Sequence, residues 1–246
     1  MSYKSVLITG ANRGLGFEMV RQLLARESGP EVVFAGCRQP ANAQELNKLS
    51  EEDQRLHVLK IDCDDPSTFE GAMKNVEAKV EDDGLNLLIN NAGIFDTSPL
   101  SQVTFEKLEA SFRINSIAPL LMTKTFLPLL EAASKKVGGP ISSSRAVVVN
   151  MSSGYGSTGD GEGSIYPYRA SKAALNNITH TLAYDLKSEG IAVICMDPGW
   201  VRTDMGGPNA SLSPEESIKS VLRIVDRISE KHTGGYFDRS GQRIPF

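Results

Sequence analysis

Short apolar runs alternate along the chain with longer stretches in which apolar residues return every three to four positions. The first run is Ser5-Val6-Leu7-Ile8-Thr9, and residues 31–36, 56–62, 85–89, 146–151 and 191–196 repeat its character. Runs this short, without polar alternation, predict strands buried on both faces of a parallel sheet. Between the first two, Met19, Val20, Leu23 and Leu24 keep helical spacing from Phe17 onward. Helices are likewise predicted after Pro66 as far as Val80, over 104–133, and from Tyr168 through Leu175, Ile178, Leu182 and Leu186. Ser213-Pro214-Glu215-Glu216 marks a further helix start, with the serine as cap and the proline in the first turn. Residues 138–144 read as a flexible surface connection and 234–238 as an added edge strand. The alternation predicts an α/β fold: one domain over residues 1–246, a doubly wound parallel sheet with helices on both faces.

Composition narrows the partners. With 246 residues, 40% hydrophobic and 23% charged, the chain has ordinary globular usage, and its formal net charge of −4 offers no basic footprint for nucleic acid or an anionic membrane. No run approaches the ~20 apolar residues that a membrane span needs. Met1-Ser2-Tyr3-Lys4 leads straight into the first strand without the features of a secretory signal. Cys37, Cys63 and Cys195 lie far apart and form no ligand cluster, so reduced thiols, a cytoplasmic setting and no metal site are expected.

The candidate chemistry lies where strands end. Gly10-Ala11-Asn12-Arg13-Gly14-Leu15-Gly16 falls between a strand and a helix, where glycines permit close backbone approach and the helix start attracts anionic oxygens. The second strand ends at Cys37-Arg38 with no carboxylate before Glu45. A nucleotide fold serving NAD places an acid there, whereas an arginine accommodates a 2′-phosphate, so Arg38 and Arg13 together favour NADP. Asp62 ends the third strand, as an acceptor for an adenine amine or as the cap of the next helix. Asn90-Asn91-Ala92-Gly93 has the residues to close the central sheet by side-chain hydrogen bonds and to let a ribose approach. Asn115, flanked by Ile114, Ile117, Ala118 and Leu120, must be satisfied if buried, by backbone or by a water. Ser152-Ser153 ends the fifth strand, and a glycine-rich run over 154–163 follows. Tyr168 and Lys172, four apart on a helix, share one face, and an ammonium close to the phenol is expected to lower its pKa.

Thr9-Gly10-x3-Gly14-x-Gly16, Asn90-Asn91-Ala92-Gly93, Asn115, Ser152-Ser153, Tyr168-x3-Lys172 and Pro198-Gly199 followed by Thr203 resemble the short-chain dehydrogenase/reductase family over nearly the whole chain. Cys37-Arg38 and the closing residues 237–246 look most like its small carbonyl reductases of the sniffer and C-factor type. The resemblance implies a Rossmann-type fold and NADPH-dependent reduction of small aldehydes, ketones or quinones. It makes Tyr168 the general acid, Lys172 the holder of the nicotinamide ribose, Ser153 the donor to the substrate oxygen, and Asn115 the holder of a relay water. It spreads the cofactor across Gly10, Asn12, Arg13, Gly14, Leu15, Gly16, Arg38, Asp62, Asn91, Ala92 and Gly93, with Pro198, Gly199, Val201 and Thr203 at the carboxamide end. It also implies a homo-oligomer, dimer or tetramer, pairing through the helices around Asn115 and Tyr168.

Two decoys arise. Ser153 is preferred over Ser152 because the family's active serine is the last of the pair, and Tyr166 lacks a lysine four residues on. Tyr155 and Trp200 have two readings, pocket wall or simple packing, and residues 205–214 are expected to form a mobile lid. The run before Tyr166 is slightly longer than in compact family members. Competing functions are an NADP-binding sensor with little turnover and an NAD-linked alcohol or hydroxysteroid dehydrogenase.

Overall fold

The computed structural model describes residues 3–159 and 163–246; the start of the chain at Met1-Ser2 and the middle of the glycine-rich run lie outside them. The strands β1 (Ser5–Thr9), β2 (Val32–Cys37), β3 (Leu56–Lys60), β4 (Leu87–Asn90), β5 (Ala146–Met151), β6 (Ile191–Asp197) and β7 (Tyr236–Asp238) form one sheet in the order β3-β2-β1-β4-β5-β6-β7. Every pairing is parallel. The expected edge strand is β7.

Alternate side chains of each strand leave opposite faces, so both faces need cover. Val6, Ile8 and Val149 pack with Met19, Leu23 and Val221 from α1 (Gly14–Leu24) and α7 (Pro214–Val225). Leu7, Val148 and Val193 turn the other way, onto Val76, Met122, Phe126 and Leu130 of α3 (Thr68–Val80) and α5 (Ala118–Val137). The remaining helices are α2 (Gln44–Glu52), α4 (Phe105–Phe112) and α6 (Tyr166–Asp185). Among the described residues no helix is long and apolar enough to cross a membrane, and no group of three or more His, Cys, Asp or Glu could hold a metal ion.

The register positions the site. Thr9 pairs with Gly36, Ile8 with Ile89, Asn90 with Asn150, and Met151 with Met196, so the carboxyl ends of β1, β4, β5 and β6 come out along one edge. Between β1 and β4 the chain's progress across the sheet reverses, which is where open α/β sheets bind their ligands.

Three local features differ from the sequence reading. Helix α1 begins at Gly14, not Phe17, so the last two glycines of the loop form its first turn. The long helix predicted over 104–133 is divided by a π-helical turn at Arg113–Ile117. The connection at 138–144 is fastened rather than loose: buried Ser143 donates its backbone N–H to the Ile228 carbonyl at 3.0 Å and its hydroxyl to the Asp226 carbonyl at 2.9 Å.

Candidate active site

Helix α1 starts with Arg13 as N-cap and has no side-chain cap. Its first amides have no intrahelical acceptor and are available to an anion. Close approach requires the glycines here. Gly10 has φ +64° and a Cβ on it would stand 2.9 Å from the Ala92 Cα; one on Gly16 would stand 2.3 Å from the Gly10 carbonyl oxygen. Asn91 locks this turn to the end of β4, donating from Nδ2 to the carbonyls of Thr9 at 3.0 Å and Gly10 at 3.3 Å. The Thr9 hydroxyl accepts the backbone N–H of both Asn91 and Ala92 at 3.0 Å. Asn90 closes the sheet at its centre, with Nδ2 donating to Asn150 Oδ1 at 2.8 Å. Gly16→Ala is expected to lower the melting temperature, measured by thermal denaturation, because its methyl would meet the Gly10 carbonyl.

Arg13 points across the mouth of the cleft to Asp204, at 3.0 Å. Both side chains are exposed, so this pair contributes little to stability and leaves the guanidinium exchangeable. Arg38 is exposed just past the end of β2. Asp62 does not cap α3, whose N-cap is Ser67; its carboxylate accepts the Asp64 N–H at 3.0 Å. Val201 is buried and bridges to Leu212, while Thr203 accepts the Gly206 N–H at 3.1 Å. The segment expected as a mobile lid is tied at its base, since Arg202 N–H donates to the Leu212 carbonyl at 2.9 Å and Arg202 Nη1 to the Ala210 carbonyl at 2.9 Å.

Tyr168 lies in the first turn of α6, only 7% exposed, with the Ser153 hydroxyl close enough to its phenol to stabilise the phenolate. Burial pushes its pKa up to about 12; Ser153 partly offsets this, while Asp197 and Tyr155 add to it. The lowered phenol pKa expected from the Tyr-Lys spacing is therefore corrected. Lys172 is on the same face, with Nζ 5.7 Å from the Tyr168 ring centroid, but it donates to the Met151 carbonyl at 2.8 Å and is itself desolvated, its pKa falling to about 8. Desolvation is the largest cause of the shift in both groups.

Asn115 is fully buried in the π-helical turn. It accepts the Ile94 N–H at 2.9 Å through Oδ1 and donates through Nδ2 to the Ile94 carbonyl at 2.9 Å and to Ser171 Oγ at 3.0 Å. Backbone bonding, one of its two sequence readings, is present. A Cβ on Gly93 would stand 3.1 Å from Asn115 Oδ1 and 3.7 Å from Lys172 Nζ, which places these three side by side.

The decoys separate cleanly. The buried Ser152 hydroxyl donates to Asn176 Oδ1 at 2.6 Å, and Tyr166 is 42% exposed. A cleft of about 930 Å³ opens over Ser153 and Tyr168, walled by Tyr155, Trp200, Met205 and Phe95. Phe95 meets Tyr168 edge-on at 4.7 Å. Phe95 and Asp197 were absent from the sequence reading. Phe95 had a usable signal, two residues beyond the Asn90-Asn91-Ala92-Gly93 strand end, whereas Asp197 had only its position before Pro198. Burial raises the Asp197 pKa, against the Gly199 backbone N–H that its carboxylate accepts at 3.0 Å.

Residues 4–212 match the short chain dehydrogenase family. The chain belongs to that family. This short-chain dehydrogenase is 35% identical to C-signal of Myxococcus xanthus over 164 residues, 66% of this chain and 93% of that protein. Its fold superposes on the carbonyl reductase Sniffer of Drosophila melanogaster with a TM-score of 0.97 and 36% identity, covering 99% of this chain and 100% of the other. The NADPH-bound carbonyl reductase from chicken fatty liver matches at 0.95 and 37% identity over the whole of both chains. The likeness to sniffer-type carbonyl reductases read from the sequence holds.

Proposed function

We propose that this short-chain dehydrogenase is an NADP(H)-dependent carbonyl reductase for small aldehydes, ketones or quinones, with Tyr168 as general acid. The observation that carries the reading is that Tyr168 and Ser153 line the floor of one aromatic-walled cleft, with the Ser153 hydroxyl acting on the phenol, beside a buried ammonium. The glycine turn supports the cofactor: a side chain at Gly10 or Gly16 would fill the space, and the uncapped start of α1 suits a pyrophosphate. Gly14, Leu15, Asn12, Asn91, Ala92 and Gly93 would hold the dinucleotide, with Asp62 at the adenine end and Pro198, Gly199, Val201 and Thr203 at the carboxamide end. NADP-bound or NADPH-bound relatives of this fold support the same choice.

When bound, NADPH supplies the hydride that reduces the carbonyl carbon. Ser153 donates a hydrogen bond to the carbonyl oxygen, and Tyr168 transfers its proton to that oxygen as the alcohol forms. Lys172, charged below about pH 8, stabilises the phenolate left behind and would hold the ribose hydroxyls. Asn115 fixes the Gly93-Ile94 backbone and the Ser171 hydroxyl that frame this lysine.

Loss of NADPH absorbance with a panel of aldehydes, ketones and quinones tests the reading. Tight NADPH binding with no oxidation across the panel would instead establish a sensor. Arg38→Ala is expected to raise the KM for NADPH by about 10-fold while leaving that for NADH unchanged, the size of one lost charge-assisted bond. Equal effects on both cofactors would remove Arg38 from the 2′-phosphate site and revive the NAD-linked alternative.

A further inference from the structure

On the cleft side the serine loop carries the Tyr155 N–H on the Ser153 hydroxyl at 3.3 Å and the Arg169 guanidinium over the Tyr155 ring at 5.6 Å. Ser153 leaves β5 in an extended conformation, and the next three residues, Gly154-Tyr155-Gly156, form a single 3-10 turn with two glycines. Such a segment is entropically costly to fix. Further ties come from behind. Tyr236 of β7, 1% exposed, donates its hydroxyl to the Ser153 carbonyl oxygen. After β7 the chain doubles back, pairing Phe237 with Arg243 and Ile244 N–H with the Tyr236 carbonyl at 2.8 Å. This return brings two carbonyls to the loop: Pro245 accepts from Ser157 Oγ at 2.8 Å and Phe246 accepts from Thr158 Oγ1 at 3.0 Å. The Phe246 ring lies 5.9 Å from that of Tyr236 and 5.6 Å from that of His180. From α6, Asn176 donates to the Gly156 carbonyl at 3.1 Å and accepts from Ser152 at 2.6 Å.

We propose that Tyr236 is a positioning residue for Ser153, the anchor of a strap made by β7 and residues 244–246 that sets the serine hydroxyl against the Tyr168 phenol. Tyr236 acts on the peptide carbonyl of Ser153, whose hydroxyl faces the cleft. Burial, followed by the neighbouring Asp197 and Cys195, drives the Tyr236 pKa upward, so its hydroxyl remains a donor at every working pH and does not compete for the catalytic proton. A donor displaced by about 1 Å at the reacting oxygen costs rate without costing cofactor affinity. The inference rests on the reading of Ser153 as the donor to the carbonyl oxygen.

The test is a double-mutant cycle on the full chain, with NADPH oxidation by a carbonyl substrate and NADPH affinity by fluorescence. Tyr236→Phe is expected to lower kcat roughly 10-fold and to leave NADPH affinity within about twofold. In a Ser153→Ala background the same change is expected to have almost no further effect, because there is no hydroxyl left to position. An unchanged kcat in Tyr236→Phe, or a full second loss on top of Ser153→Ala, would overturn the proposal; a general packing defect gives the latter. Thr158→Val, which removes only the bond to the Phe246 carbonyl, is expected to show a smaller loss, about threefold, with the same dependence on Ser153. It decides the matter should Tyr236→Phe fold poorly. Wild-type turnover in Ser153→Ala would defeat the functional reading instead, and hydrogen exchange then still tests the strap: Tyr236→Phe must speed exchange of the amides of residues 155–157 relative to those of the glycine turn, and equal exchange would overturn it.

Discussion

Tyr168→Phe is expected to lower kcat/KM for carbonyl reduction about 10³-fold, within the range for loss of a positioned general acid. The substitution keeps the ring, and with it the edge contact to Phe95 at 4.7 Å and the packing against Tyr155 at 6.5 Å. It removes one buried hydroxyl, a net stability change of about 1 kcal/mol. The glycine turn is untouched, so NADPH affinity is expected to stay within about threefold, and a variant that binds NADPH but does not oxidise it isolates the proton transfer. The raised pKa of about 12 adds a second expectation: the phenol stays protonated through pH 10, so the wild-type reduction shows no alkaline decline that belongs to Tyr168. A wild-type rate in Tyr168→Phe would sink the assignment, and Tyr166, 42% exposed, offers no replacement.

The chain alone revealed the strands, the glycine turn and the candidate residues Ser153, Tyr168 and Lys172, because each carries a local signal: an apolar run, a glycine spacing, a helical interval. Arrangement across the sheet has no such signal. The order in which β4 follows β1 in space, with β2 and β3 on the far side, depends on crossover connections, and it is this order that sets Asn91 beside Gly10 and Tyr236 behind Ser153. The direction of the Tyr168 pKa was misread for a related reason. Spacing shows that Tyr168 and Lys172 share a face, but burial decides which way their pKa values move, and burial comes from layers packed by distant residues. The π-helical turn at Asn115 has the same origin: it is held by bonds to Ile94 and Ser171, far along the chain.

Two acids and one base set the electrostatics of the cleft floor. Asp197 raises the Tyr168 pKa and has its own raised by burial, so neither favours an early phenolate. The cation that would favour one, Lys172, is held 5.7 Å from the phenol ring by the Met151 carbonyl. A phenol held in this way stays protonated at neutral pH, as the proposed role of general acid in carbonyl reduction requires.

Lys172→Met should cut turnover by two orders of magnitude or more and weaken NADPH binding at least about 10-fold, if the ammonium serves both phenolate and ribose. Its effect on stability runs the other way. Burial lowers the lysine pKa from 10.5 to about 8, a difference worth ~3 kcal/mol against the folded state wherever the lysine is charged in both states. The unfolded chain binds the extra proton between those two values, so stability rises with pH from about 8 to 10.5, and the penalty is fully present below about 8. Methionine removes the penalty at all pH values while filling nearly the same space. Melting curves of the two proteins should therefore converge as the pH climbs through that window, with Lys172→Met the more stable at neutral pH. A variant less stable than wild type at pH 7 would show that the bond to the Met151 carbonyl outweighs the desolvation of the charge, and one with normal NADPH affinity would remove Lys172 from the ribose.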